Sequence, residues 1–76
     1  MPGNNIYRFS LSLDRDTLLE IYHGTIKRIR VRTFEGLVVD IDANHLKRFT
    51  TQDGIFGKFE LVTTSENKFL EIVKID

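Results

Sequence analysis

Three arginines alternate along "RIRVR", so Arg28, Arg30 and Arg32 fall on one side of an extended chain. With Lys47, Arg48 and Lys58 they could make a row that grips phosphates, as basic sheet faces do in RNA-binding domains. The chain as a whole adds nothing to such a field. Eleven Lys and Arg balance eleven Asp and Glu, for a formal net charge of +0, which steers it neither to nucleic acid nor to an anionic membrane. Acids also follow closely in "VVDID", residues 38–42. A self-neutralised sheet face is therefore the leading reading of the row. A nucleic-acid-binding module using Arg28, Arg30, Arg32, Lys47, Arg48 and Lys58 is the alternative.

Arg28 and Arg32 also stand in an Arg-x-x-x-Arg spacing, with "DIDANH" after them at 40–45. This faintly resembles the PilZ domains, which bind cyclic di-GMP, and the resemblance makes cyclic-dinucleotide binding a third reading. Those domains carry the arginines on a flexible segment and follow them with Asp-x-Ser/Ala-x-x-Gly. Here the arginines sit in an expected strand, Asp42 replaces the small residue, and His45 stands at the glycine position. Each departure removes a contact the ligand needs.

His23 and His45 are the two imidazoles, and no acidic cluster at ligand spacing joins them into a metal site. The chain has no cysteine, which excludes thiolate ligands, disulfides and a thiol nucleophile. Ser10 or Ser12 with a histidine and Asp14 lacks the sharp nucleophile turn and oxyanion donors that acyl transfer needs. We expect no catalytic, cofactor or metal residues, and no enzyme.

"DGIFGK", residues 53–58, holds Gly54 and Gly57 three apart with Lys58 after them. A phosphate loop of this kind opens a helix, whose amides and dipole converge on the anion. Here an alternating strand follows, so the glycines read as architecture. Asp53-Gly54 is a turn, Gly57 gives a kink or a close approach, and Ile55-Phe56 forms an apolar tip.

These residues need elements to place them. "IYRFSLSL", residues 6–13, alternates strictly and makes a half-buried strand. "DRDTLLEIYHG" follows as a two-turn helix with Asp14 as N-cap and Gly24 past its end. Leu18, Leu19 and Tyr22 form its apolar side. Residues 25–33 and 37–41 make a hairpin. A two-residue loop would set arginines against valine and isoleucine, whereas the three-residue loop Phe34–Gly36 sets Val31 opposite Val39 and Ile29 opposite Ile41. That register also puts Arg30 opposite Asp40 and Arg28 opposite Asp42, so the three-residue loop is expected. "DANHLKRF", residues 42–49, is a short helix capped by Asp42 or Asn44. Strands over 58–64 and 68–75 turn at Glu66-Asn67, with Leu61 opposite Ile72 and Thr63 opposite Leu70. The expected fold is α+β: a five-stranded, mostly antiparallel curled sheet, with one two-turn helix after strand 1 and a short helix between strands 3 and 4. Residues 1–5 are expected as a disordered leader and 6–76 as a single domain.

Several of these pieces are similar to a family of small uncharacterised gammaproteobacterial proteins, domain of unknown function 2835. The similarity rests on Tyr22 and Gly24, on Ala43, Asn44, Leu46 and Phe49, and on Thr51, Gly54, Ile55, Gly57, Lys58 and Phe59. It implies a free-standing bacterial domain of the cytoplasm and no assigned activity, substrate or catalytic residue.

A core this small gains only about 3–5 kcal/mol, and such domains often rely on a partner. Ile6, Val38, Val62 and Val73 point away from the main apolar face, and Ile55 and Phe56 add to them. Ile55, Phe56, Ile6, Val38 and Val62 are the candidate interaction surface, for an unknown protein partner or for self-association as a homodimer. No apolar run is long enough to span a bilayer and "MPGNNIY" lacks the pattern of an export signal, so the cytoplasm is expected.

Overall fold

Strict alternation carries β1 (Asn5–Asp14) through ten residues, with Phe9 and Leu11 buried and Arg8, Ser10 and Ser12 in solvent. The computed structural model describes residues 3–76. Of the expected leader, Met1 and Pro2 lie outside the described residues. Asn5 pairs with Thr63 as the first residue of β1.

The Asp14 carboxylate accepts the Thr17 amide at 2.9 Å and starts α1 (Arg15–Tyr22). Gly24, at φ +83°, follows its end. The buried side of α1 is Leu18 and Ile21, whereas Leu19 and Tyr22 are exposed. The apolar side expected from Leu18, Leu19 and Tyr22 is therefore rotated. An i, i+3 pair suffices for a two-turn helix laid on β1 and β4.

β2 (Arg28–Arg32) and β3 (Val38–Asp42) pair in the expected register, Val31 opposite Val39 and Ile29 opposite Ile41. The Thr33 amide donates to Leu37 O at 2.7 Å, and Gly36 at φ +90° supplies the left-handed residue that a three-residue loop requires.

Asp42 accepts the Asn44 amide at 2.9 Å and caps a 3-10 helix, Ala43–Phe49. The expected helix is thus found with the tighter winding. Its apolar residues explain that: Ala43, Leu46 and Phe49 are spaced by three, the period that eclipses side chains in a 3-10 turn. Ala43 and Leu46 are buried, and the Phe49 ring meets the Phe59 ring edge-on at 5.0 Å.

Thr51 and Gly54 close a tight turn by exchanging amide–carbonyl bonds of 2.7 and 3.2 Å. β4 (Gly54–Thr63) then runs back along β1, with Leu13 opposite Ile55 and Phe9 opposite Phe59. Gly54 sits at φ +136°, and a Cβ there would meet the Leu13 carbonyl oxygen at 2.0 Å. Only glycine fits. This is the architectural role read for the Gly-x-x-Gly stretch.

β5 (Phe69–Lys74) pairs with β4, and Leu61 faces Ile72 as expected, but Thr63 faces Phe69 and not Leu70. Two features move the register. Thr64 and Lys68 close a three-residue loop in which Asn67 takes φ +66°, and an irregularity between Val62 and Thr63 absorbs the odd residue. The Phe69-Leu70 doublet is the trace of that irregularity.

The strands do not form one five-stranded sheet. β1-β4-β5 make a three-stranded sheet and β2-β3 a separate two-stranded one. Among the described residues a single backbone bond joins them, from the Phe34 amide to Arg8 O at 2.9 Å. The helix between β1 and β2 is the cause: burying Leu18 and Ile21 against β1 and β4 carries the chain off the edge of β1 before β2 begins. The α+β class stands, as two antiparallel layers whose apolar faces share one core. Phe9, Phe59, Leu46, Ile55 and Ile72 are its fully buried members. No helix among the described residues is long and apolar enough to cross a membrane.

Candidate interaction surface

Thr33–Leu37 and Lys27–Ala43 are hydrogen-bonded pairs at the two ends of the β2–β3 ladder. Alternation along an antiparallel pair then turns the amides and carbonyls of Val38 and Asp40 away from β2, to the far edge of β3. Among the described residues the one group that reaches them is Arg28, whose Nη2 donates to Asp40 O at 3.4 Å. The free edges of β5 and β1 each carry one such contact as well. Arg48 Nη2 donates to Ile72 O on the rim of β5, and Phe34 meets β1 at Arg8.

Exposed strand edges are usually guarded by Lys, Pro, a bulge or an inward charge. β3 has none of the first three. Its two acids, Asp40 and Asp42, lie on the outer face, and Asp40 is neutralised by Arg30 Nε at 3.4 Å. Leu37 and Val38 beside it are 52% and 53% exposed.

A groove of about 580 Å³ runs along this edge. Leu37, Val39 and Ile41 line one wall, and Tyr7, Leu61, Thr63 and Phe69 the other. The His45 ring stacks on Phe69 with centroids 3.7 Å apart and planes within 2°. At the opposite end the Tyr7 hydroxyl donates to Asn67 Oδ1 at 2.5 Å, and Asn5 Nδ2 donates to the same oxygen at 2.9 Å. These contacts occupy part of the groove's polar lining; Arg28, Asp40 and Asp42 also border it, so its walls mix polar and apolar groups.

The five residues expected to form an apolar surface separate. Ile6 and Val62 are direct cross-strand partners on the outer face of the three-stranded sheet. Phe56 lies on that face opposite Ser12, at the far end of β4. Val38 belongs to the other sheet. Ile55 is fully buried and is corrected from surface to core: it faces Leu13, whose side of β1 is the inner one. Of the expected set, only Val38 borders the groove. Leu37, Val39, Tyr7 and Phe69 do not stand out as a site in the sequence, because their alternation marks them as strand interior and nothing in it shows that the seam between the sheets stays open.

The basic residues also divide. Arg28, Arg30 and Arg32 share the outer face of the hairpin with Asp40 and Asp42. Lys47 lies over the Tyr22 ring at 5.1 Å and Arg48 over the Phe49 ring at 4.7 Å, both on the 3-10 helix. Lys58 projects from the outer face of β4 opposite Ser10. The two histidines lie apart, His23 at the end of α1 and His45 in the groove.

A family model described as "Protein of unknown function (DUF2835)" matches residues 5–75. The chain belongs to that family. No curated protein and no solved structure matches the chain. The DUF2835 match begins at Asn5 and ends at Ile75, so it takes in both sheets, both helices and the whole of the groove.

Proposed function

We propose that this domain is a non-enzymatic interaction module of the cytoplasm, one that accepts an added β-strand along β3. The observation that carries the reading is the unpaired β3 edge, with main-chain groups of Val38 and Asp40 turned outward beside exposed Leu37 and a groove of mixed polar and apolar lining. Strand addition draws affinity from the main-chain ladder and specificity from alternate side chains seated in pockets. The groove beside β3, into which Val39 and Ile41 face, supplies room for such side chains.

Amide hydrogen exchange tests this. In the dilute, free domain the Val38 and Asp40 amides exchange fast while those of Val39 and Ile41, bonded to β2, are protected. On association the outward pair becomes protected too. The substitution Leu37→Glu puts a charge on the groove wall at an exposed site, so it weakens association and leaves thermal unfolding almost unchanged. The reading fails if Val38 and Asp40 are already protected in the free monomer, or if Leu37→Glu leaves association untouched.

A further inference from the structure

We infer that the strand accepted by β3 is β3 of a second copy of this chain, paired antiparallel about a twofold axis at Val39. This rests on the reading of the β3 edge as the binding surface and names its occupant. Bonding between two such edges requires the outward residues to pair with one another, which allows few registers. Asp40 opposite Asp40 sets two carboxylates face to face, an arrangement that destabilises a sheet. Val38 opposite Val38 brings Asp40 against Gly36, a loop residue at φ +90° outside the ladder. Val38 opposite Asp40 keeps acid from facing acid and moves the Gly36 contact out to Asp42, the last residue of β3 and the cap of the 3-10 helix.

That register is self-complementary. It seats Val39 against Val39 on the axis and Leu37 against Ile41 on either side, so apolar meets apolar along the groove side. On the outer side each Asp40 keeps its own Arg30 and gains a valine neighbour, with no acid facing acid. The two hairpins then form a continuous four-stranded sheet in the order β2-β3-β3-β2. Such isologous contacts close as dimers and do not propagate. The exposed Leu37 and Val38 become interior positions of that sheet.

The chain has no cysteine, so a single introduced thiol reports cleanly. Facing residues in a non-hydrogen-bonded antiparallel pair have Cα atoms about 4.5 Å apart, within disulfide reach. Val39→Cys, under mild oxidation, is expected to pass largely into a covalent dimer, whereas Ile6→Cys, on the outer face of the other sheet, stays mostly monomeric. Val38→Pro removes an outward amide without touching the bonds to β2, and light scattering should find this variant folded and monomeric where the unmodified chain is dimeric.

The inference is overturned if Val39→Cys cross-links no faster than Ile6→Cys, or if Val38→Pro, folded by circular dichroism, remains a dimer. It is also overturned if the unmodified chain is monomeric at high concentration. In that last case an extended peptide of alternating valine and lysine separates the two claims. Amide shifts confined to β3 keep the strand-accepting reading and remove the second copy as its occupant, and no shifts at all remove both.

Discussion

Arg30 and Asp40 stand opposite each other in the β2–β3 ladder, guanidinium Nε 3.4 Å from carboxylate Oδ1. Their side chains are 76% and 47% exposed, so water screens most of the attraction. A double-mutant cycle in urea with Arg30→Ala and Asp40→Ala should give a coupling below about 1 kcal/mol. The larger consequence concerns the edge. Arg30→Ala leaves Asp40 as an unneutralised charge beside the outward amides, so association should weaken while the unfolding midpoint hardly moves. Sedimentation of the single variants reads this directly.

Gly54 and Gly57 should differ in what they tolerate. An added Cβ at Gly54 meets the Leu13 main-chain oxygen at 2.0 Å, and that oxygen belongs to a paired strand. At Gly57 the first contact is the Lys74 Cε, at 2.7 Å, the far part of a flexible side chain. Both positions have φ near +137°, so both substitutions carry backbone strain. Gly54→Ala should lose roughly 3 kcal/mol or more, and Gly57→Ala about 1–2 kcal/mol. Equal losses in chemical denaturation would refute this ordering.

The Asp14 cap has a pH signature. The Thr17 amide holds the Asp14 carboxyl below its ordinary value of 3.8, with a smaller part from the Thr17 side chain. A depressed folded-state pKa means the charged cap stabilises the fold above 3.8 and that this contribution fades as pH falls through the lowered value. Asp14→Ala should therefore melt below the unmodified chain at neutral pH, with the gap narrowing as the medium is acidified past 3.8. Asp14→Asn keeps a capping oxygen and removes the titration. It should lie between the two at neutral pH.

Phe59 joins the two halves of the aromatic core. Its ring lies 6.0 Å from Phe9 and 5.0 Å from Phe49, and none of it is exposed. Phe59→Ala should cost roughly 3–5 kcal/mol, comparable with the whole stability of so small a domain. Circular dichroism should find that variant largely unfolded at room temperature, while Phe59→Leu folds with a lowered melting point.

The hairpin register was legible in the sequence because one misplaced residue would have set arginines against valines throughout. The Asp14 cap, the Thr51–Gly54 turn and the inner face of β1 were legible for similar local reasons. What the local pattern does not carry is the relation between elements. Phe69-Leu70 reads equally as two faces of a strand or as an irregularity, and Asn67 in the left-handed region decided for the latter. Ile55, sitting between glycines, reads as a surface residue, yet alternation from Phe59 puts it on the inner face. The groove depends on β2 leaving the edge of β1, a consequence of where α1 packs, which no window of residues displays.

The main-chain link from Phe34 to Arg8, the one between the sheets among the described residues, gives the two halves unequal kinds of order. β1 and β4 are locked by a ladder, whose steps are discrete: a change there keeps its alignment or loses it. The hairpin rests on the rest of the molecule through side-chain contact, which has no steps. Its tilt can adjust by small degrees as Ile29 or Val31 is exchanged for another aliphatic residue. A lineage of such domains can therefore vary the width of the channel beside β3 gradually, without ever passing through a misaligned sheet.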